Sequence, residues 1–262
     1  MLRADTLYYN YRKSQLKIPH FVKCYINNKI HDGFCPICEK SVSFIKKHDW
    51  LRDNYFCLEC YSIPKQRALA NALNLYYPAW KSLKIHESSP GGPCSDYIAI
   101  NCPGYTPSHF FSDVKPGESK YKVRCENLEE MTFEDNSFDL TITQDVFEHI
   151  MNPDKAFKEI SRVLKPGGAH IFTIPWYPHI GKTVQRAKLV DNEIQYLEEP
   201  VYHSNPIDTK GSLVTFDWGI DFPDYIFKHS GLFTTVHLVK DPKMGLDAEF
   251  LEVFISRKNL FN

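Results

Sequence analysis

Between Phe133 and Pro175 the spacing of apolar residues changes period twice. Phe138-Asp139-Leu140-Thr141-Ile142-Thr143 alternates apolar and polar, the period-two pattern of a strand. Asn152-Pro153 breaks the chain, and Asp154 is placed to cap a helix. Ala156, Phe157, Ile160, Val163 and Leu164 then recur at helical spacing on one face. Lys165-Pro166-Gly167-Gly168 ends that helix, and Ala169 to Ile174 reads as a second, buried strand. Strand, crossover helix and strand form a parallel unit, whose ligands sit beyond the carboxyl ends of the strands. The run from Gln144 to His149 stands at such an end.

Further elements lie on both sides of this unit. Ser62 to Tyr76 is an amphipathic helix, and Leu83 to His86 a strand that delivers Glu87 at its end. Asp96 to Asn101 is expected as a second strand, and Val123 to Phe133 as a third strand with its loop. An insertion over about 176–213 has helical character from Val184 to Leu197. Insertions near a strand's carboxyl end are usually lids or acceptor sites. Asp221 to Ser230 is a further helix, with closing antiparallel strands over Phe233–Lys240 and Ala248–Ser256. Residues 1 to 33 lack periodicity and read as an irregular arm.

Cysteine spacing adds a second element. Cys35-Pro36-Ile37-Cys38 and Cys57-Leu58-Glu59-Cys60 are two C-x2-C knuckles separated by an 18-residue gap, the spacing of a zinc ribbon. Four thiolates close a tetrahedron around Zn²⁺, and Ser41–Lys46 with Leu51–Phe56 can form the hairpin that carries the knuckles. A thioredoxin-like redox pair needs one such motif beside a βαβ unit, and a catalytic zinc keeps an open position. Structural zinc, stapling a module too small to fold on its own core, fits the pattern best.

Composition then narrows the class. The 262 residues are 43% hydrophobic and 14% aromatic, enough for one α/β domain and a small module. A net charge of -1 supplies no broad footprint for nucleic acid or anionic membrane. The first fifteen residues have no apolar core of the signal-peptide kind, and no run is long enough to span a bilayer, so a cytoplasmic location is expected.

Phe133-x-Asp135-x-Ser137-Phe138-Asp139, Glu148-His149 and Glu159-Ile160-x-Arg162-Val163-Leu164-Lys165-Pro166-Gly167-Gly168 together resemble the class I S-adenosylmethionine-dependent methyltransferases. The resemblance covers roughly Leu83 to Lys258. It implies a Rossmann-like, doubly wound seven-stranded sheet over 81–262, after an arm and ribbon (1–61) and a helical connector (62–80). It also implies a cofactor lying across Glu87-Ser88-Ser89-Pro90-Gly91-Gly92, where Ser88 and Pro90 replace expected glycines. Asn127 would accept from the adenine amino group, Leu128 would offer its N–H, and Gln144-Asp145 would close the site. No carboxylate stands in the expected ribose position near Thr106, which leaves hydroxyls of Tyr105, Thr106 and Ser108, or backbone.

An oxygen acceptor needs a base or a metal to become nucleophilic. His149, His179 and His203 are base candidates, since imidazole titrates near neutrality. Asp145-x-x-Glu148-His149 also resembles the E-x-x-E-H site of methyltransferases that use Mg²⁺ or Mn²⁺, where His203 or His179 would complete the ligands. Glu-His after this strand is equally found in relatives without metal, as helix-start and packing residues. His86 and His170 lie on buried strands and read as core.

Three functions are compatible with these residues. The first is methylation, on oxygen, of a sugar, glycan precursor or other small molecule; the glycan preference rests on resemblance to zinc-bearing enzymes of polysaccharide pathways. The second is an RNA methyltransferase that grips its substrate through the ribbon, against which the missing basic excess argues. The third is a non-catalytic binding module, suggested by the altered glycine loop. Oligomeric state is not legible in the sequence.

Overall fold

A computed structural model describes residues 30–191, 193–203 and 210–261; the arm expected before residue 30 lies outside them. Contacts divide these residues into two units, one of residues 30–82, 90–105 and 237–253, the other of 83–89, 106–236 and 254–261. The boundary expected at residue 81 is therefore not a single cut. Two later segments return to the N-terminal unit, and specific bonds hold them there.

In the N-terminal unit β1 (Ile30–Cys35), β2 (Lys40–Lys46) and β3 (Tyr55–Cys57) form an antiparallel sheet in that order. The β2–β3 pairing is a hairpin as expected, with β1 added on its free edge, but Leu51–Asn54 of the expected second strand form a helical turn and the strand is Tyr55–Cys57. One cysteine knuckle turns β1 into β2, and the other comes directly after β3. Helix α1 (Pro64–Tyr76) starts where Gln66 Oε1 accepts from the Ile63 N–H at 3.2 Å. Its Arg67 is fully buried and donates to the carbonyls of Ser62, Tyr55 (3.0 Å) and Gly245 (2.7 Å). Lys46 pairs with Asp247 at 2.8 Å, which fastens the same returning segment.

Residues 92–101 correct the sequence reading. They form helix α2 (Gly92–Asn101), not the expected second strand. Pro93 in the first turn suits a helix start, and a short apolar run such as Tyr97-Ile98-Ala99-Ile100 does not distinguish helix from buried strand.

The second unit is built on β4 (Ile85–Ser88), β5 (Tyr105–His109), β6 (Ser119–Lys120), β7 (Val123–Cys125), β8 (Phe138–Gln144) and β9 (Leu164–Thr173). The insertion supplies β10 (Val184–Gln185), β11 (Ala187–Val190), β12 (Glu193–Tyr196), β13 (Tyr202–His203) and β14 (Ser212–Leu213), and β15 (Phe216–Asp217) comes next. β16 (Phe233–His237) and β17 (Val253–Arg257) complete the large sheet. Its order is β16-β17-β9-β8-β4-β5-β7-β6, with β4, β8 and β9 parallel and β17 antiparallel to β9. This is the doubly wound α/β methyltransferase fold. Short β6, antiparallel to β7, makes it eight strands rather than the expected seven.

Helix α3 (Pro153–Val163) crosses from β8 to β9 and buries Ala156, Phe157, Ile160 and Val163 completely. Phe157 stacks on Phe147 at 4.1 Å and meets Phe172 and Phe222, while α4 (Phe222–Ser230) covers the same core. Each such side chain stabilises the fold by about 1.5–3 kcal/mol through area removed from water. After α3 the chain enters β9 directly. The register against β8 shifts between Phe138 and Leu140, and Gly167 takes a φ of +79°, so the glycines form a bulge. The expected helix over Val184–Leu197 is instead the β11–β12 hairpin. No helix among the described residues is long and apolar enough to cross a membrane.

Candidate functional site

The carboxyl ends of β4, β7 and β8 bring together several of the residues singled out in sequence. Glu87 is fully buried, and its Oε1 accepts from Gln144 Nε2 at 2.7 Å, tying the ends of β4 and β8. Ser89 holds a φ of +54°, a conformation that favours glycine, and its N–H donates to the Ser108 carbonyl at 2.8 Å. Pro90, Gly91 and Gly92 belong to the other unit, where α2 begins at Gly92. Asn127 lies just past β7; its Oδ1 accepts from the Glu129 N–H at 3.0 Å and keeps a second lone pair. Leu128 beside it is buried.

The ribose assignment requires correction. Because 92–101 is helical, the second strand is β5, and its carboxyl end is His109. Tyr105 and Thr106 stand at the opposite end of that strand. Ser108 is fully buried, with its Oγ 2.8 Å from His86 Nε2. These hydroxyls are thus removed from the ligand edge, and His109 occupies the strand end in their place. The donor set still suits a ligand carrying an ammonium group, hydroxyls and an exocyclic amine: a buried carboxylate, an amide oxygen and an imidazole at successive strand ends.

Beyond β8 a 3₁₀ turn spans Phe147–His149. Its residues are fixed by the end of the insertion and the segment just after it, since the Thr215 N–H donates to the Glu148 carbonyl at 2.7 Å and His149 Nδ1 lies 2.8 Å from the Leu213 carbonyl. A carbonyl only accepts, so Nδ1 carries the proton and Nε2 presents a lone pair. The β13–β14 hairpin places His203 beside it, with the rings 5.1 Å apart and perpendicular. Glu148 Oε1 is 3.7 Å from His149 Nε2 and 3.8 Å from His203 Nδ1.

Asp145 and His179 are not part of this group. Asp145 does not share the turn of Glu148 and His149: it has a φ of +51°, outside the 3₁₀ turn, and accepts from Thr173 Oγ1 at 2.9 Å. The Mg²⁺ or Mn²⁺ set of Asp145, Glu148 and His149 is therefore not the set the fold assembles. His179 is exposed and packs edge-on to Tyr177. Trp176 donates to the Gly219 carbonyl at 2.7 Å and packs on the core beside Phe254. His86 and His170 are buried, His170 Nε2 being 3.0 Å from Thr143 Oγ1, and burial lowers His86 to about 3.

In the N-terminal unit the sulfurs of Cys35, Cys38, Cys57 and Cys60 all lie within 4.8 Å of one another. The Cys35–Cys60 and Cys38–Cys57 separations are 3.8 Å. A tetrahedral zinc with bonds of about 2.3 Å sets ligand separations of about 3.8 Å. Hydrogen bonding within the cluster holds Cys35 far below its ordinary value and pushes Cys38 and Cys60 above theirs. The four cysteines fit Zn²⁺ as a closed site.

Residues 108–172, from β5 into β9, match the family model of a methyltransferase domain. The glycine/sarcosine/dimethylglycine N-methyltransferase of Actinopolyspora halophila is 27% identical over 116 residues, which are 44% of this chain and 20% of that protein. The mitochondrial 2-methoxy-6-polyprenyl-1,4-benzoquinol methylase of Caenorhabditis elegans is 29% identical over 108 residues, 40% of this chain and 32% of that one. The chain thus spans less than a third of the length of the curated relatives it matches. Among solved structures, an S-adenosylmethionine-dependent methyltransferase from Mesorhizobium loti aligns over 73% of this chain and 98% of its own at 14% identity, with a TM-score of 0.46.

Proposed function

We propose that this protein is an S-adenosylmethionine-dependent methyltransferase that acts on an oxygen of a sugar, a glycan precursor or another small molecule. The observation that supports it most is one polar edge on a methyltransferase sheet. Glu87 and Gln144 are tied there at 2.7 Å, Glu148 and His149 stand on the segment directly after β8, and the β13–β14 hairpin brings His203 to them. When bound, S-adenosylmethionine supplies a methyl group on a sulfonium whose sulfur departs as a neutral thioether.

The chain's own residues account for the rest. Glu87, Asn127, Leu128 and His109 hold the cofactor at the ends of β4, β7 and β5, and Ser89 shapes the turn beneath it. The acceptor oxygen supplies the electron pair for the new bond to carbon and must lose its proton. Glu148, His149 and His203 are the groups that draw that proton away. Alignment of acceptor, methyl and sulfur contributes much of the rate.

The insertion walls the acceptor side, because its β13–β14 hairpin carries His203. A small polar acceptor suits a net charge of -1 better than RNA does. The four-thiolate zinc has a structural role, and a cytoplasmic site of action completes the reading. Calorimetric titration with S-adenosylmethionine, then methyl-transfer assays on sugar nucleotides and on RNA, tests it. Methyl incorporation into RNA alone would overturn the acceptor class.

A further inference from the structure

The run from Glu87 to Gly92, which the cofactor is expected to cross, divides between Ser89 and Pro90, and its second half belongs to the unit that carries the four cysteines. Helix α2 opens at Gly92 and packs on α1 within that unit. Both backbone polar groups of Gly91 are held there. Its N–H donates to Ser95 Oγ at 2.9 Å, and its carbonyl accepts from Gln66 Nε2 at 3.4 Å. Gln66 is buried, and its Oε1 is the atom that caps the start of α1, just after the second knuckle. Gly92 takes a φ of +77°, and the first N–H of a helix has no intrahelical acceptor, so the turn presents a donor where a ligand would approach.

The knuckles reach this turn by two routes. Glu39 follows Cys38 directly with a φ of +53°, and its N–H closes the first knuckle on the Cys35 carbonyl at 2.9 Å. The hydroxyl of Tyr97, a buried residue of α2, donates to Glu39 Oε1 at 2.7 Å. On the second route Ser62 Oγ lies 3.1 Å from Cys60 Sγ, and the Ser62 carbonyl accepts from the Cys57 N–H at 3.0 Å. Ile63, whose N–H Gln66 holds, comes next in the chain.

We propose that the zinc ribbon positions the cofactor loop, so that metal at the four cysteines and cofactor at Gly91–Gly92 are coupled through Tyr97 and Gln66. Both are positioning residues, which act through the backbone at the start of α2. A metal that gathers four sulfurs fixes the turn of each knuckle. Without it Glu39 and Ser62 lose their set places, and α2 loses the partners that hold its first turn. Coupling between two binding equilibria is reciprocal, so bound cofactor tightens the hold on metal by the same factor. The identity of the ligand rests on the proposed methyltransferase function.

The test follows zinc release from the full-length, zinc-loaded chain to a chromogenic chelator, with and without saturating S-adenosylhomocysteine, whose affinity is measured by calorimetry on the same samples. In wild type the ligand should slow release by about fivefold or more, the low end of ordinary couplings. Tyr97→Phe, which removes one hydroxyl, and Gln66→Ala should each weaken ligand binding about threefold to tenfold and reduce the slowing to about twofold or less. Cobalt-loaded samples of both variants should keep the thiolate charge-transfer bands of wild type, which shows the cysteine site intact. A merely structural role would instead speed release equally with and without ligand. Wild-type release that ignores bound ligand, or full slowing retained in both variants, would overturn the coupling. Folded wild type that binds no ligand would overturn the methyltransferase reading, and the coupling with it.

Discussion

His149 donates its Nδ1 proton to the Leu213 carbonyl at 2.8 Å, and so keeps a lone pair on Nε2 while the insertion stays in place. If His149 draws the acceptor proton, as proposed, its role is thereby linked to the fold of the insertion. His149→Ala should reduce turnover by about 10²–10⁴-fold, the range of general acid–base contributions, while cofactor affinity stays within about twofold. His179→Ala should leave turnover unchanged, because that ring is exposed and apart from the group. Steady-state kinetics with calorimetry checks both. Near-normal turnover of the His149 variant on the true acceptor would assign this residue to packing.

The corrected position of β5 separates two sets of substitutions. Glu87→Ala should weaken cofactor binding about tenfold or more, since a charge-assisted partner is worth about 1.5–3 kcal/mol, and Asn127→Ala by about threefold to tenfold, since a neutral amide bond is worth about 0.5–1.5 kcal/mol. Thr106→Ala should leave affinity unaltered, since that hydroxyl stands at the far end of its strand. Loss of affinity in the Thr106 variant, with Asn127→Ala unchanged, would show the cofactor edge to be misplaced.

Arg67 and Gly33 hold the returning segment 237–253 within the N-terminal unit. Arg67→Ala removes a donor from the buried carbonyls of Tyr55 and Gly245, and from that of Ser62, which keeps the Cys57 N–H at 3.0 Å; it should cost about 2 kcal/mol or more in denaturant unfolding. A Cβ on Gly33 would stand 2.1 Å from the Lys243 carbonyl oxygen, so Gly33→Ala should displace the turn at 242–245. Chelation of the zinc should unfold this unit first, visible as loss of proteolytic protection around Tyr55 and Arg67.

Two buried histidines set an acid limit on stability. Burial lowers His86 to about 3 and pulls His170 well below its ordinary value. In the unfolded chain both take up protons near about pH 6.5, so the unfolded state binds more protons as pH falls. Their contribution is complete above that value and is lost as pH drops toward the folded pKa, by about 1.4 kcal/mol per pH unit for each. Urea unfolding at pH 7, 6 and 5 should show this decline, and His86→Gln should make it shallower by one proton's share. An unchanged slope in the variant would show that His86 titrates normally in the fold.

Legibility in the sequence tracked the strength of the local signal. The four cysteines were legible because C-x2-C spacing leaves few alternatives, and α3 because Ala156, Phe157, Ile160 and Val163 all meet one core. Strand β5 was not, since Tyr105-Thr106-Pro107-Ser108-His109 has no apolar alternation and its buried contact is a polar one, Ser108 with His86. The apolar run of the adjacent helix α2 has the pattern of the missing strand, which displaces the ribose candidates to Tyr105, Thr106 and Ser108. In the insertion, scattered apolar residues suggested a helix where Asp191-Asn192 signals a tight turn; Asp191 takes a φ of +51° between β11 and β12. Convergence of His203 on Glu148 depends on the β13–β14 pairing, a long-range contact that no local pattern encodes.

Calorimetric titration of the purified, zinc-loaded chain with S-adenosylmethionine and S-adenosylhomocysteine tests the central claim most directly. Saturable binding of both at about one per chain is expected, with a loss of about tenfold or more in Glu87→Ala, and methyl transfer to a small oxygen acceptor. No binding of either ligand to folded, zinc-loaded protein would contradict it.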